Sequence, residues 1–400
     1  MTKKLFATVK ALALVSLVAL AACSSAPTGS LGSTGDVSSG PSTPSSPSQP
    51  SSPSSSSSPS SSAPSSSPAD PPPSGAVSLD VGVTDTIDDL GFSFEQARAD
   101  GLTRTSIYTR WRDLEPSDGT YQLGYVDAMV AKAKAAGLKL TVEIEITNTD
   151  CVEWGMTDAF CVAPLFPSDL AFSRTGAGFD DPNIARRLAG LFDAIAARHG
   201  ASVLTHVFIG NEVDRYMAVV KHDSGVDLVP GYGRMLGAIR AKISGAYPTR
   251  PKLGTVVEFQ PSPEYAAAPP VACPNVEVLG LTMYPTEEGA EGTDAPPKKI
   301  QRWMGAARLA AVGSCALAIT EVGASALAPY GSPTDQQALA AAVVEWLRTN
   351  PTVYDFATWF AMSDNPEPTD SVFGGMGLMS RTGVRRPAYA TWLAAGKPVP

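Results

Sequence analysis

The sequence lacks a basic cluster, a glycine-rich phosphate loop and closely spaced histidines, and each absence excludes a class of protein. The formal net charge is -9, and no basic cluster provides the electrostatic footprint of nucleic-acid binding, so no nucleic-acid partner is expected. No G-x-G-x-x-G follows the first predicted strand, which argues against a dinucleotide site. His199, His206 and His222 are too scattered for a metal site, and we expect neither a metal nor another cofactor.

The N-terminus also lacks an apolar run long enough to span a membrane. Lys3 and Lys4 precede a short apolar stretch that ends at Leu20, the pattern of a secretory signal. The following Ala21-Ala22-Cys23 completes a segment that resembles a bacterial lipobox. We therefore predict a lipoprotein signal peptide over residues 1–22 and a diacylated Cys23, with an ordinary signal peptide as the alternative. The prediction implies anchorage to a bacterial membrane, in the cell envelope and outside the cytoplasm.

Residues 23–77 lack aromatic side chains, and Asp36 and Asp70 are their only charged residues. Serine and proline dominate the segment, which cannot bury enough apolar surface to offset the entropy lost on ordering. We predict a disordered linker here. The remaining residues, 78–400, are enough for one large α/β domain.

Within residues 78–400, short apolar segments alternate with amphipathic ones, as in parallel βα units. The predicted strands are Ser78–Val83, Thr103–Arg110, Leu138–Ile146, Leu204–Gly210, Leu253–Phe259, Val276–Met283, Ala316–Thr320 and Phe356–Phe360. Eight such strands alternating with helices predict a (β/α)8 TIM barrel. The helix after the fifth strand is the one that the sequence marks poorly. A doubly wound open sheet is the alternative.

The predicted strand ends carry an unusual number of polar and aromatic residues, and functional groups of such barrels lie at the carboxyl ends of the strands. These residues are Arg110, Trp111, Asn211, Glu212, Tyr284, Glu321 and Trp359. The most informative are Glu212 and Glu321, since two carboxyl groups on one rim can perform acid, base and nucleophilic chemistry.

Four segments together resemble retaining glycoside hydrolases of clan A. Residues 111–121 (WRDLEPSDGTY) are similar to the W-x-x-[LI]-E-P-x-x-G-x-Y that follows strand two in that clan. Gly210-Asn211-Glu212 resembles its strand-four N-E, and Glu321-Val322-Gly323 its strand-seven E-x-G. The C-terminal segment contains Gly377-Leu378, Gly383 and Pro387-Ala388-Tyr389, and it resembles the G-L…G…[KR]-P-A-Y with which clan members end.

The resemblance implies a retaining glycosidase that acts on β-linked carbohydrate by double displacement. Glu212 would be the acid and base, and Glu321 the nucleophile, with carboxyl groups about 5 to 5.5 Å apart. Asn211 would bind the sugar 2-hydroxyl, Tyr284 would steady the nucleophile, and Trp359 would form the floor under the sugar. Arg110 and Trp111 complete the predicted substrate-binding set.

The sequence departs from the clan on strand two. Many members have an arginine where this chain has Ser106, and Arg104 and Arg110 are the candidate substitutes. The roles of Glu143 and Glu145, which alternate on strand three, stay open between pairing inside the barrel and sugar binding. For Asp214 a capping role is expected.

Four cysteines remain after Cys23, an even number in a chain predicted to be exported. We predict the disulfides Cys151–Cys161, within a long loop on the catalytic face, and Cys273–Cys315, ahead of strands six and seven. We expect a monomer. The alternative function is a non-catalytic glycan-binding or cell-envelope TIM-barrel lipoprotein.

Overall fold

The computed structural model describes residues 80–84, 94–147, 165–170, 178–259, 268–285, 295–310, 315–364 and 372–396. All of them belong to one compact unit, Ser74–Pro400. None of the helices in these ranges combines the length and the apolar character needed to cross a membrane. The predicted signal peptide, Cys23, the linker and the Cys151–Cys161 pair lie outside the described residues.

Eight parallel strands form a closed barrel in sequential order, with β8 pairing to β1. The strands are β1 (Asp80–Thr84), β2 (Arg104–Arg110), β3 (Lys139–Glu145), β4 (Leu204–Ile209), β5 (Lys252–Glu258), β6 (Val278–Met283), β7 (Ala316–Val322) and β8 (Tyr354–Phe360). The barrel prediction is confirmed, and closure between β1 and β8 excludes the open-sheet alternative.

Ten α-helices occur among the described residues, most of them outside the barrel between consecutive strands. They are α1 (Phe94–Ala99), α2 (Trp111–Leu114), α3 (Gly124–Ala136), α4 (Pro182–His199), α5 (Val213–Ser224), α6 (Val229–Lys242), α7 (Ala268–Ala272), α8 (Pro296–Ala310), α9 (Pro333–Thr349) and α10 (Pro387–Leu393). Sequence reasoning missed α5, which begins directly after Glu212 without a side-chain cap. Ser, Thr, Asp or Asn would have been the recognisable starting signal.

The barrel interior contains a small apolar layer that supports the polar residues above it. Phe208, Val256, Val278, Ala318 and Phe356 form this layer and are fully buried. Gly254 lies beside Phe208, and a Cβ on that glycine would come within 2.5 Å of the ring. The large ring therefore needs a neighbour without a side chain. A second, larger core lies between the barrel and the helices.

Cys273 and Cys315 form the predicted disulfide, with Cα atoms 5.3 Å apart. Cys273 begins the 3-10 turn before β6, and Cys315 directly precedes β7. The bridge therefore lies at the opposite end of these strands from Tyr284 and Glu321.

Removing this bridge by Cys273→Ser together with Cys315→Ser should lower the free energy of unfolding by about 3 to 4 kcal/mol, because the bridge closes a 42-residue separation in the unfolded chain. Urea unfolding followed by circular dichroism measures the change, and the folded double variant should retain the catalytic rate of the parent. An unchanged urea midpoint would show that the bridge adds no stability.

Candidate active site

The turn from β4 into α5 places Glu212 in an unusual backbone conformation. Glu212 has φ 45° and ψ 38°, in the left-handed region that non-glycine residues rarely adopt. Gly210, two residues earlier, has φ 86°, and a Cβ there would collide with Val213 and lie 2.8 Å from the Tyr232 hydroxyl. Strain of this kind persists where the surrounding structure fixes it, often at functional sites. A glycine is therefore needed at position 210, in the turn that presents the Glu212 side chain.

Glu212 is buried, with 7% of its surface exposed, and both carboxylate oxygens have partners. Thr282 of β6 donates its hydroxyl to Oε1 at 2.6 Å. Arg215 of α5 places Nη1 3.4 Å from Oε2. The carboxyl group is thus held between the end of β6 and the first turn of α5.

Glu321 of β7 is equally buried, with 6% exposed, and accepts hydrogen bonds from two tyrosines. The Tyr108 hydroxyl donates to Oε1 at 2.6 Å, and the Tyr284 hydroxyl donates to Oε2. Hydrogen bonds of this kind favour the ionised form of a carboxylate. The Tyr284 contact is the one needed for the predicted steadying of Glu321.

Thr282 connects the two glutamates. It donates to Glu212, and in the sheet its Cα is the register partner of Glu321. The two carboxyl groups therefore lie at the same end of the barrel, where Thr282 of β6 contacts one glutamate and pairs in register with the other. The separation of about 5 to 5.5 Å required for retention stays a prediction.

Sequence reasoning missed Tyr108. It shares one face of β2 with Arg104 and Arg110 because strand side chains alternate, and this alternation could have identified it. Burial, and then the nearby carboxylates Glu143 and Glu321, raise the pKa of Tyr108 well above its usual value. Its hydroxyl therefore keeps its proton and serves as a donor to Glu321.

Glu143 of β3 is completely buried beside this site, and neither of its carboxyl oxygens has a hydrogen-bond partner among the described residues. Burial raises the pKa of Glu143 well above its usual value, and the charges of Glu321, Glu145 and Glu212 raise it further. Both effects favour the neutral form of the Glu143 carboxyl group. Its full burial argues against direct contact with a sugar.

Asn211 lies beside Glu212 and is partly exposed. Its Oδ1 atom is buried and has no hydrogen-bond partner within the described part of the chain. A substrate hydroxyl would supply the missing partner. This placement fits the predicted contact of Asn211 with a sugar.

The prediction that Trp359 forms the sugar floor is wrong. The side chain is fully buried, its indole N–H donates to the Met376 carbonyl at 2.9 Å, and its ring packs 5.4 Å from Trp392 of α10. Because side chains alternate along β8, Phe356 and Phe360 face the barrel interior and Trp359 faces the helices. The tryptophan therefore stabilises the packing of α10.

Phe360 is the aromatic residue that β8 presents at the mouth. It is partly exposed and packs edge-on to Tyr284 at 6.1 Å and to Phe373 at 6.3 Å, and Phe373 is also partly exposed. These three rings form an aromatic wall next to Glu321. Sugar C–H faces stack on such surfaces, so the wall can replace the predicted tryptophan.

The prediction that Trp111 binds substrate is also wrong. Its side chain is fully buried, and its indole N–H donates to Glu115 Oε2 at 2.7 Å. Its ring centroid lies 5.3 Å from that of Phe166. Phe166 belongs to residues 165–170, a described part of the long loop after β3. Trp111 thus anchors this loop, while residues 148–164 lie outside the described ranges.

Arg110 and Arg104 occupy opposite ends of β2, about 20 Å apart at the usual rise per strand residue. Arg110 is largely exposed at the mouth, 3.7 Å from Glu145 Oε2, where it remains a candidate substrate contact. Arg104 is buried, donates to Thr141 and Thr205 at 2.9 and 2.7 Å, and packs over Phe356. Tyr108 is the β2 residue that donates to Glu321, so the prediction that Arg104 replaces the strand-two arginine of the clan is wrong.

The capping role expected for Asp214 is consistent with its contacts. Its Oδ1 accepts the Glu258 backbone N–H at 2.9 Å and so ties the start of α5 to the end of β5. Burial raises the pKa of Asp214 well above its usual value, and the Glu258 and Glu212 charges act in the same direction.

No protein-family model and no curated protein matches this sequence. Among solved structures, a GH5_18 glycoside hydrolase from Bifidobacterium longum subsp. longum has a TM-score of 0.62 and 16% identity, over 79% of this chain and 78% of that one. A GH5_18 enzyme from Streptomyces cattleya, in complex with GlcNAc, has a TM-score of 0.59 and 18% identity over 80% of each chain.

An exo-beta-1,4-mannosidase from Opitutaceae bacterium strain TAV5 is similar at the same level. Its TM-score is 0.59 and its identity 16%, over 80% of this chain and 60% of that one. At such low identity these similarities establish the fold and not the activity. The chain has the (β/α)8 fold that these glycoside hydrolases share.

Proposed function

We propose that this protein is a retaining glycoside hydrolase that cleaves β-glycosidic bonds and is anchored to a bacterial membrane through Cys23. The observation that carries the proposal is the placement of Glu212 and Glu321 on either side of Thr282 at the carboxyl end of the barrel. Glu321 is held by two hydroxyl donors, and Glu212 lies beside the Asn211 amide oxygen, which has no hydrogen-bond partner among the described residues.

In the first step, Glu321 attacks the anomeric carbon while Glu212 transfers its proton to the leaving glycosidic oxygen. The C–O bond to the leaving sugar breaks as the ester bond to Glu321 forms. In the second step Glu212, now ionised, takes a proton from water, whose oxygen attacks the same carbon and releases Glu321. Two inversions at one carbon give overall retention.

The proposed substrate is an uncharged β-linked polysaccharide or oligosaccharide. Phe360 and Phe373 provide apolar surface for a sugar ring, and Asn211 provides a polar contact for a hydroxyl. A GH5_18 neighbour was solved in complex with Manb1-4GlcNAc, which makes β-mannosides the first substrates to test.

The competing proposal is a glycan-binding barrel without turnover. It is favoured by Ser106, which occupies the strand-two position where many clan A enzymes have an arginine. The neutral donors Tyr108 and Tyr284 supply hydrogen bonds to Glu321 but no positive charge. The two proposals differ in one measurable property, the release of sugar.

The experiment uses the protein without its signal and lipid, incubated with β-linked glucans, mannans, galactans, xylans and Manβ1-4GlcNAc. Product release and the anomeric configuration of the first product are followed by NMR. Initial release of the β-anomer supports the retaining mechanism, and the α-anomer would indicate inversion. Binding without any release on the whole panel would favour the competing proposal.

The lipid anchor is tested separately in a bacterial host. The full chain should incorporate labelled palmitate and partition with membranes, and Cys23→Ser should lose both properties. A Cys23→Ser protein that still carries palmitate would refute the anchor.

Tyr108→Phe should lower kcat about 10- to 100-fold. It removes one hydrogen bond to a charged carboxylate, worth about 1.5 to 3 kcal/mol, and about 1.4 kcal/mol corresponds to a tenfold change in rate. Tyr354→Phe is the matched control. Tyr354 lies at the start of β8, away from the site, and its hydroxyl donates to the Met304 carbonyl. Equal rates for the two variants would contradict the role of Tyr108.

A further inference from the structure

A charge pair borders Glu212 where α5 begins and β5 ends. Arg215 lies three residues after Glu212 and places Nη1 3.4 Å from Glu212 Oε2. The same guanidinium places Nε 3.4 Å from Glu258 Oε2. The side chains of Arg215 and Glu258 are 12% and 3% exposed, so solvent screens their charges poorly.

Other titratable groups face Glu212 from the elements packed around it. They are Asp214 on α5, Glu143 on β3 and Glu321 on β7. Burial raises the pKa of both Asp214 and Glu143 well above the usual range, which favours their neutral forms. Arg215 and Glu258 form an ion pair beside Glu212.

The sign of each charge matters for a general acid. A cation within hydrogen-bond distance favours the ionised carboxylate and would remove the proton that Glu212 must carry. A carboxylate on the far side of that cation opposes the effect. Arg215 alone would make Glu212 too acidic, and Glu258 alone would leave a buried charge without a counter-charge.

We infer that Arg215 and Glu258 act as a compensating pair that sets the proton affinity of Glu212, with Arg215 also orienting its carboxyl group. This inference rests on the proposed role of Glu212 as the acid and base. Arg215 and Glu258 are positioning residues in this scheme, since they act on the substrate only through Glu212.

The test compares Arg215→Met, Glu258→Gln and the double variant by 13C NMR titration of the glutamate carboxyl carbons. The Glu212 signal is assigned by its loss in Glu212→Gln, so the measurement needs no turnover. Arg215→Met should raise the pKa of Glu212 by about one unit or more, and Glu258→Gln should lower it by about one unit. The double variant should return to within about half a unit of the parent.

The alkaline limb of the kcat/KM profile should move with the titration, to higher pH in Arg215→Met and to lower pH in Glu258→Gln, because this limb reports loss of the acid's proton. Arg215→Lys keeps the cation and should leave the pKa of Glu212 within about half a unit of the parent. If Arg215→Met fails to fold by circular dichroism, the downward shift in Glu258→Gln decides.

Shifts of the same sign in the two single variants, or no shift in either, would overturn the inference. Opposite shifts in a protein that hydrolyses nothing would support the charge pair and refute the glycosidase. Sugar release with no shift in the Glu212 titration would support the glycosidase and refute the charge pair. The failure of the inference and the failure of the proposed function are therefore distinguishable.

Discussion

Glu321→Gln should lower kcat by at least about three orders of magnitude, the largest effect expected for any single substitution in this protein. An amide cannot form the glycosyl ester, so the double displacement loses its first step. Gln keeps the size of the side chain, its amide oxygen can still accept from one of the two tyrosines, and its NH2 group can donate to the hydroxyl oxygen of the other, so folding should be preserved. The measurement is steady-state hydrolysis of the substrate identified in the panel, together with a thermal unfolding curve.

Glu345→Gln, on the exposed face of α9, provides the matched control and should be indistinguishable from the parent. Glu212→Gln adds a second comparison. Its rate should fall strongly on natural sugars, which need protonation of the leaving oxygen, and much less on aryl glycosides, whose leaving groups need little assistance. A Glu321→Gln protein with parental kcat would exclude Glu321 as the nucleophile.

The barrel and the two glutamates could be predicted because their signals are local. Glu212 follows the apolar strand β4 and Glu321 lies near the end of the apolar strand β7, and a barrel brings such positions to one rim whatever the intervening loops do. The disulfide followed from the same logic, since Cys273 and Cys315 precede consecutive strands. These predictions needed only element order.

The errors concern which face a side chain occupies. Trp359 and Phe360 are adjacent, and a shift of one residue in a strand exchanges the interior for the helix-facing side. Sequence reasoning preferred the tryptophan because of its chemistry, but the pairing of β8 placed the phenylalanine at the mouth. Counting alternate residues from Phe356, which lies in the interior layer, would have identified Phe360.

Tyr108 shows a different limit. The sequence shows that the expected arginine is absent at Ser106, but it does not show that a hydroxyl two residues later reaches Glu321 across the barrel. That contact depends on the strand register and on the bulge between β6 and β7 at Thr282. Alternation along β2 places Tyr108 on the interior face of the strand, but its partner on β7 has no local sequence signal.

The segment WRDLEPSDGTY, which carries part of the resemblance to clan A, has a structural role in the described contacts. Glu115 is fully buried and accepts from the Trp111 indole at 2.7 Å and the Gly119 amide at 3.0 Å. Arg187 of α4, also buried, places Nε 3.1 Å from Glu115 and Nη1 2.8 Å from Asp169. One carboxylate therefore fastens the loop after β2 to α4.

Arg187→Met should consequently destabilise the fold by about 3 to 5 kcal/mol, because it leaves the Glu115 carboxylate buried without its counter-charge. Methionine preserves most of the buried apolar volume, so the loss would come from charge rather than from a cavity. Urea unfolding gives the free energy. The double variant Glu115→Gln with Arg187→Met removes both charges and should recover part of the loss, which the double-mutant cycle measures directly.

Arg186→Met, one residue earlier on the same helix, separates this effect from any general intolerance of α4. Arg186 pairs with Asp118, and both side chains are 49% exposed, so solvent screens the ion pair. Its loss should cost at most about 1 kcal/mol. If Arg187→Met were no more destabilising than Arg186→Met, the buried pair would not be holding the loop. A large difference would show that residues 111–121 (WRDLEPSDGTY) act as a scaffold for the barrel mouth.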